Sequence, residues 1–257
     1  YGDGPFTLTP PSSNSDGAFT FSSSNTSVIS ISGTTATIVG GGSTDITVTQ
    51  DPSGSFTRKS NSVSFTVLRK TPNLRNFASV VRSFAASSVV MTPPESDSSG
   101  SFSYSSSNTS IASNTYGSDN FTFLTGGTVT ITATQATTSN YSMNSISTTL
   151  TITPVEPTAF YSNFSRPYNL GTFTIPAPTT SSNGTISYVS SDTSIATIDG
   201  STVTIQKVGD TTITASIAAT PTYLARDVSA IFSVVRGTPT MSGLSNQTVT
   251  MTQAPYT

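Results

Sequence analysis

The residue types that carry most enzyme chemistry are missing from this chain. It contains no His and no Cys, which rules out a Ser-His-Asp or Cys-His nucleophile, an imidazole or thiolate metal site and a disulfide framework. The one catalytic design still permitted is a carboxylate pair for glycoside hydrolysis. Glu95 and Glu156 are the only glutamates, and repeat symmetry gives neither a partner. We therefore predict no enzyme, no catalytic residue, no metal site and no cofactor.

Acidic residues near predicted turns raise the question of calcium, which requires hard oxygen ligands. The aspartates concerned are Asp97, Asp119, Asp192, Asp199, Asp210 and Asp227. None forms the Asp-x-Asp-x-Asp-Gly spacing, so we interpret them as scattered turn residues, with a calcium site at a junction as the alternative. The runs Gly40–Gly42 and Gly126–Gly127 precede strands and have no P-loop lysine, which indicates hairpin turns rather than phosphate loops.

The charge balance excludes several classes of partner. Ten Lys and Arg stand against twelve Asp and Glu, for a net charge of -2, so the chain lacks the basic field that nucleic-acid binding requires. Apolar runs are far shorter than the roughly 20 residues that span a bilayer, so we expect no membrane insertion. A basic cluster is interpreted as a solvated face, with docking of an acidic partner or a sugar as the alternative. It comprises Arg58, Lys59, Arg69, Lys70, Arg75 and Arg82.

Tyrosines and asparagines supply the remaining candidates. Tyr116, Tyr161 and Tyr168 lie in or near predicted loops; we expect core or junction packing, with stacking on a sugar ring as the alternative. Seven Asn-x-Ser/Thr sequences are interpreted as turns, with glycosylation as the alternative. They begin at Asn25, Asn108, Asn120, Asn140, Asn163, Asn183 and Asn246. Asn25, Asn108 and Asp192 share one place in a repeat and predict an Asx turn before a strand.

An internal repeat organises the chain. The segment from Phe19 to Val28 recurs 83 residues later from Phe102 to Ile111, and 84 residues after that from Ile186 to Ile195. Alternating Ile-Thr segments beginning at Ile46, Ile131 and Ile213 occupy matching places. A period this long fits one small independent domain per repeat rather than a solenoid unit.

Within each repeat, short segments alternate with a period of two residues, and no helical stripe of useful length occurs. In the third repeat the predicted strands are 159–164, 171–175, 186–189, 195–198, 202–206, 211–218 and 230–235. Such even spacing predicts an all-β chain of β-sandwiches. The residues predicted to face the first core are Phe19, Phe21, Val28, Ile31, Ile38, Ile46, Val48, Phe65 and Val67.

The repeats resemble a known family. Ser-Ser-Asn-Thr-Ser-Val, then Ile31-Ser-Gly33 or Ile198-Asp-Gly200, then a Gly-rich turn and Ile-Thr-Val or Ile-Thr-Ala, are similar in order and spacing to the bacterial immunoglobulin-like group 2 domains, which include repeats of invasin and intimin type. The resemblance implies tandem immunoglobulin-like β-sandwich domains arranged as beads on a string, used as stalks or display modules. The segment Asn114–Asn120 departs from it by replacing the compact turn, so the local hairpin is not expected to follow the family pattern.

The repeat pattern predicts the domain boundaries. Residues 1–71 form repeat 1 without its opening strand, 72–156 form repeat 2, 157–238 form repeat 3, and 239–257 open a fourth repeat. Pro255-Tyr-Thr257 matches Pro5-Phe-Thr7. Two interpretations remain open: the chain is a window cut from a longer array, or residues 240–257 complete the sandwich of a neighbouring subunit by strand addition.

These observations favour a non-catalytic structural or adhesive stalk segment of a cell-surface or virion-surface fibre. Its expected partners are neighbouring immunoglobulin-like repeats of the same or an adjacent chain. A glycan- or receptor-binding module of a phage or virus appendage is the first alternative, with the Asn114–Asn120 segment as its candidate. A filament subunit joined by donor-strand exchange through residues 240–257 is the second. The expected location is extracellular, on a cell or on a virion.

Overall fold

The computed structural model describes residues 1–243, and nearly all of its regular structure is β-strand. Contacts divide the chain into two compact units, Tyr1–Pro154 and a second unit that begins at Val155. The first unit contains two β-sandwiches and the second contains one. Most of the predicted fourth repeat, and of the predicted donor segment 240–257, lies outside the described residues.

The first sandwich consists of two three-stranded sheets. Its strands are β1 (Phe6–Thr7), β2 (Phe19–Ser23), β3 (Ile29–Ser32), β4 (Thr35–Ile38), β5 (Gly42–Gln50) and β6 (Lys59–Val67). One sheet has the order β1-β4-β3 and the other β2-β5-β6. All pairs in both sheets are antiparallel.

The second sandwich repeats this plan with one more strand. Its elements are β7 (Val80–Ser83), a 3₁₀-helix (Phe84–Ala86), β8 (Ser88–Val90), β9 (Phe102–Ser106), β10 (Ala112–Asn114), β11 (Asn120–Phe123), β12 (Gly127–Gln135) and β13 (Asn144–Thr153). The sheets are β10-β11-β8 and β7-β13-β12-β9. Strand β7 runs parallel to β13 and forms the outer edge of the four-stranded sheet.

The third sandwich, in the second unit, has the same two sheets and a short extra pair. Its elements are β14 (Ala159–Phe160), β15 (Phe164–Pro167), a 3₁₀-helix (Tyr168–Leu170), β16 (Thr172–Thr174), β17 (Thr179–Thr180), β18 (Ile186–Ser190), β19 (Ala196–Asp199), β20 (Thr202–Ile205), β21 (Gly209–Ile217) and β22 (Arg226–Val235). The sheets are β16-β20-β19 and β15-β22-β21-β18, and β14 pairs with β17. Strand β15 is parallel to β22.

The period-two pattern explains why these segments become strands of a sandwich. In β12, Val129, Ile131 and Ala133 are buried while the threonines between them face outward, because successive side chains of a strand point to opposite faces. Burying one face of each sheet against the other removes apolar area from water at about 25 cal/mol per Å². Each sandwich accordingly has its own cluster of buried apolar residues. The predicted all-β fold of tandem sandwiches is confirmed.

Two core predictions for the first repeat were wrong. Seven of the nine residues are buried or pack against the core, but Phe19 and Val48 do not belong to the cluster. They border an open cavity together with Pro11 and Ser12.

One local prediction needs correction, and the departure from the compact turn expected at Asn114–Asn120 takes the form of a longer loop. The single opening strand predicted for residues 159–164 is two short strands, because Tyr161 between them turns into the core and is buried. The hairpin at Asn114–Asn120 does form, with Asn114 opposite Phe121. The Asn114 side-chain amide donates to the carbonyls of Tyr104 and Ser118, at 3.1 and 2.6 Å, and so stabilises the longer loop.

Candidate functional site

The two glutamates are placed as exposed ion-pair partners. Glu95, in the first unit, accepts from Arg75 at 3.0 Å, and Glu156, in the second unit, lies 3.7 Å from Arg226. Hydrogen bonds from Asn76 and then Arg75 hold the pKa of Glu95 below its ordinary value. A general acid for glycoside hydrolysis needs the opposite shift, so Glu95 is not suited to that role.

Two of the turn aspartates, Asp97 and Asp192, accept hydrogen bonds from backbone N–H groups. Asp97 accepts from the backbone N–H of Asn73 at 2.8 Å and pairs with Lys70 at 3.3 Å; these bonds lower its pKa, the Asn73 bond most. Among residues 1–243, no three acidic side chains come together as a possible metal site.

The basic cluster is divided among several ion pairs. Arg58 pairs with Asp51 at 3.2 Å, Lys70 with Asp97, and Arg75 with Glu95. All of these side chains are substantially exposed to solvent, where such pairs contribute about 0–1 kcal/mol each. Three of its six members are thus paired with carboxylates, which lowers the net positive charge that the cluster offers to an acidic partner.

The three tyrosines have different environments. Tyr161 is buried in the third core, as predicted, and packs near Tyr188 at a ring distance of 6.4 Å. Tyr168 is half exposed. Tyr116 is fully exposed at the tip of the loop between β10 and β11, so the prediction of core or junction packing was wrong for this residue.

The predicted Asx turns are confirmed in all three repeats. The side-chain oxygens of Asn25, Asn108 and Asp192 accept from the backbone N–H two residues later, at 3.1, 3.0 and 2.9 Å. At Asp192, hydrogen bonds from Ser194 hold the pKa of the carboxyl below its ordinary value. These side chains cap the turn that leads into the next strand, which is a structural role.

The segment that joins the first two repeats is built into the second one. The Lys70 N–H donates to the Asn140 carbonyl, and the Ser142 N–H donates to the Lys70 carbonyl, both at 2.9 Å. The first repeat closes the contact from its own side, because the Gly41 N–H donates to Oδ1 of Asn140 at 3.1 Å. The linker residue Lys70 is therefore fixed by hydrogen bonds to the second repeat. The loop around Asn140 is contacted by both repeats.

Aromatic and charged side chains surround this junction. Tyr1 contacts Tyr141 edge to face at a ring distance of 5.8 Å. The ammonium group of Lys70 lies 6.0 Å from the centre of the Tyr141 ring and pairs with Asp97. These aromatic and cation–π contacts add to the backbone hydrogen bonds at the junction.

In the second unit, Val155 makes the same backbone contacts as Lys70 does in the first. The Val155 N–H donates to the Thr222 carbonyl at 3.0 Å, and the Leu224 N–H donates to the Val155 carbonyl at 2.8 Å. Val155 and Tyr223 pair as Lys70 and Tyr141 do. The sequence signal for the pairing of Val155 with Tyr223 and of Lys70 with Tyr141 is the aromatic residue after the Ile-Thr segment of each repeat. Nothing in the sequence indicated that Asn140 would bond to Gly41.

The outer faces of the long hairpins carry paired hydroxyl groups, together with a few charged residues such as Asp45, Asp210 and Asp227. Hydroxyl pairs join Thr47 to Ser62 at 2.6 Å, Thr132 to Ser147 at 2.9 Å and Thr214 to Ser229 at 3.0 Å. They occupy matching positions in the three sandwiches. Cross-strand hydroxyl pairs of this kind stabilise a sheet without depending on salt.

The chain matches no protein-family model and no curated protein sequence. Solved structures with some likeness include Drosophila N-cadherin EC1-3, with a TM-score of 0.37, 11% identity, and coverage of 90% of this chain and 92% of that one. Immunoglobulin domains 1-5 of Sidekick-1 have a TM-score of 0.33 and 12% identity, with 90% and 56% covered. Domains 4 and 5 of the S-layer protein SbsC have a TM-score of 0.27 and 20% identity, with 52% and 70% covered.

These TM-scores are too low to carry an argument about function. The assignment of tandem immunoglobulin-like sandwiches rests on the sheets themselves. Within residues 1–243, no helix has the length and apolar character to cross a bilayer.

Proposed function

We propose that this chain is a non-catalytic structural segment of a surface fibre, in which tandem sandwiches hold another part of the protein at a distance. The observation that carries this proposal is the junction at Lys70. Two backbone hydrogen bonds join Lys70 to the loop at Asn140–Ser142, and the Gly41 N–H of the first repeat donates to the Asn140 side chain. A flexible tether would not fix its linker in this way. A stiff spacer requires a fixed linker, because bending at each junction would shorten the distance that the repeats span.

The repeat boundaries are part of the proposal. We place repeats at residues 1–71, 72–156 and 157–238, with the opening of a fourth from 239, and group them with the bacterial immunoglobulin-like group 2 domains. The order and spacing of the quoted motifs support this grouping. An extracellular location, on a cell or a virion, fits the hydroxyl-rich sheet faces and the use of such repeats as stalks.

Gly41→Ala tests the junction directly. A Cβ at Gly41 would lie 2.6 Å from the Ser139 carbonyl oxygen of the second repeat, so the methyl group must push the repeats apart. Since the native chain has no cysteine, spin labels placed on Ser32→Cys and Ser145→Cys report one distance across the junction. We expect a narrow distance distribution in the labelled parent and one at least about twice as wide in Gly41→Ala.

Gly4→Ala is the matched control, because a Cβ there meets no atom of residues 1–243 within 4 Å, and it should leave the distribution narrow. A broad distribution in the parent itself would contradict a stiff spacer. An unchanged width in Gly41→Ala would show that this contact does not set the stiffness.

The exposed loop of the second repeat supports a second candidate function, recognition of a surface glycan. Tyr116 lies at its tip with its whole ring accessible, as a residue that stacks on a sugar would. Binding on a broad glycan array that disappears in Tyr116→Ala would favour this role. An array without binding would leave only the spacer.

A further inference from the structure

The longer loop of the second sandwich covers one edge of its four-stranded sheet. This loop lies across β9, where the Tyr104 N–H donates to the Gly117 carbonyl at 3.3 Å and the Asn114 amide donates to the Tyr104 carbonyl at 3.1 Å. The backbone groups of Tyr104 that point away from the sheet are therefore both occupied, and its side chain is 7% exposed.

The matching edge of the third sandwich has no such cover. Strand β18 pairs with β21 on one side, and the Ser191 N–H just after it also donates to that side, to the Thr212 carbonyl at 2.9 Å. Backbone groups alternate in direction along a strand, so those of Ile186, Tyr188 and Ser190 point the other way. Within residues 1–243 these outward groups have no hydrogen-bond partner.

An exposed valine distinguishes this edge from the matching edges of the other two sandwiches. Val189, on the outer face of β18, is 65% exposed, whereas Ser22 and Ser105 occupy its place in the first two repeats. The neighbouring Tyr188, on the inner face, is only partly buried. No residue from 181 to 191 is charged, although charged side chains commonly keep strand edges from pairing. An uncharged edge with apolar side chains on both faces favours the addition of another strand.

We propose that β18 of a second copy of this chain adds to this edge as an antiparallel strand, with a two-fold axis at Tyr188. Tyr188 then lies opposite its counterpart and exchanges both N–H···O bonds with it, and Ile186 does the same with Ser190 of the second copy. On the outer face, Val189 lies opposite Ser187 and diagonal to the second Val189. Every outward backbone group of β18 is then paired, and the exposed valine is covered.

A second β18 supplies what this edge lacks. It brings its own outward backbone groups, an apolar residue beside each exposed one, and no charge. The nearest charged residue, Asp192, falls opposite Gly184 of the second copy, so the two copies of Asp192 lie more than about 20 Å apart along the strands. The contact is self-complementary, as a two-fold interface must be, and it goes beyond the spacer function because it joins two chains.

Disulfide trapping tests the partner and the register together. The protein has no native cysteine, so equal amounts of a Ser187→Cys chain and a Val189→Cys chain are mixed and mildly oxidised. These residues lie directly opposite each other, with Cα atoms about 4.5 Å apart, which is within disulfide range. We expect a several-fold higher yield of linked dimer than either chain gives alone. Thr20→Cys mixed with Ser22→Cys is the matched control at the same places on β2, and it should remain monomeric.

Sedimentation equilibrium of the cysteine-free chain supplies the second measurement. The apparent mass should rise with concentration from one chain to two and stop there, because a two-fold contact is closed. Val189→Lys should hold it at one chain, since two ammonium groups would meet across the edge. Adding Ser105→Val to that variant should not restore the dimer, because the Asn114–Asn120 loop still covers β9. Circular dichroism checks that the variants fold.

Any of four results would overturn the proposal. They are a single-chain mass up to millimolar concentration, a mass that rises beyond two chains, a mixed-cysteine yield no higher than that of the separate chains, and equal trapping on β2. A dimer that persists in Val189→Lys would also contradict it. The Gly41→Ala experiment reads a distance within one chain, so its failure is separate from these.

Discussion

Gln135 is the polar side chain on which the stability of the second sandwich is expected to depend most. It is buried, and its amide makes three hydrogen bonds: Oε1 accepts from the Ser96 hydroxyl at 2.6 Å, and Nε2 donates to the carbonyls of Ser98 and Gly100 at 2.9 and 2.8 Å. This amide fastens the segment before β9 to the end of β12. Gln135→Ala leaves those three groups without their partner inside the protein.

The expected cost follows from the hydrogen bonds. At about 1 kcal/mol each, the three bonds give a loss of about 3 kcal/mol in the free energy of unfolding. Hydrogen exchange measured by mass spectrometry resolves one sandwich at a time, and about 3 kcal/mol corresponds to roughly a 100-fold fall in protection for β9 and β12. Peptides of the third sandwich should not change.

Gln50→Ala is the internal comparison. Gln50 makes the same three bonds in the first sandwich, to Ser13, Ser15 and Gly17, but it is only partly buried. Water can replace its partners, so the loss should be smaller than for Gln135→Ala. A fall in protection of less than about tenfold in Gln135→Ala would refute the reasoning, as would an equal fall in both variants.

Two further predictions concern pH and salt. Burial raises the pKa of Tyr161 to about 12, and within residues 1–243 its hydroxyl has no hydrogen-bond partner. Between about pH 10 and 12 the unfolded chain loses the Tyr161 proton while the folded chain keeps it. The free energy of unfolding should therefore fall as the pH rises through this range, by about 2 kcal/mol in total. Tyr161→Phe should remove this part of the fall and be at least as stable at pH 7, as urea titrations at pH 9 and 11.5 would show; an identical pH dependence in both proteins would contradict it. The melting temperature should change by less than about 3 °C between 0.05 and 0.5 M NaCl, because the ion pairs are exposed and most outer-face side chains are hydroxyls. Calorimetry measures this shift, and a larger one would show that charge interactions contribute more to stability than this reasoning allows.

The repeat pattern predicted the fold well because each strand is a local signal. Alternation of Thr with Val, Ile or Ala is sufficient to predict β12 and β21, and their matching offsets predict that the same sandwich occurs again. The Asx turns at Asn25, Asn108 and Asp192 are equally local, since donor and acceptor are two residues apart. Such features need no knowledge of what lies across the core.

Contacts between distant residues were not predictable in the same way. Gly41 and Asn140 are 99 residues apart, and neither is distinctive in a chain rich in Gly, Asn, Ser and Thr. The exposure of Tyr116 depends on the Asn114 amide, which holds the longer loop in place. Phe19 and Val48 fit the alternating pattern, but they border an open cavity.

The amino-acid sequence by itself determined that this protein is all-β, is built from repeated sandwiches, and lacks the histidine and cysteine that most catalysis requires. Periodicity and composition carry this information, because burial of one strand face and the chemistry of a side chain are properties of each segment alone. Only the tertiary structure decided which loop bonds to the first repeat at the junction and which tyrosine lies exposed at a loop tip. Those outcomes depend on contacts between segments tens of residues apart, and a local sequence pattern does not predict such contacts.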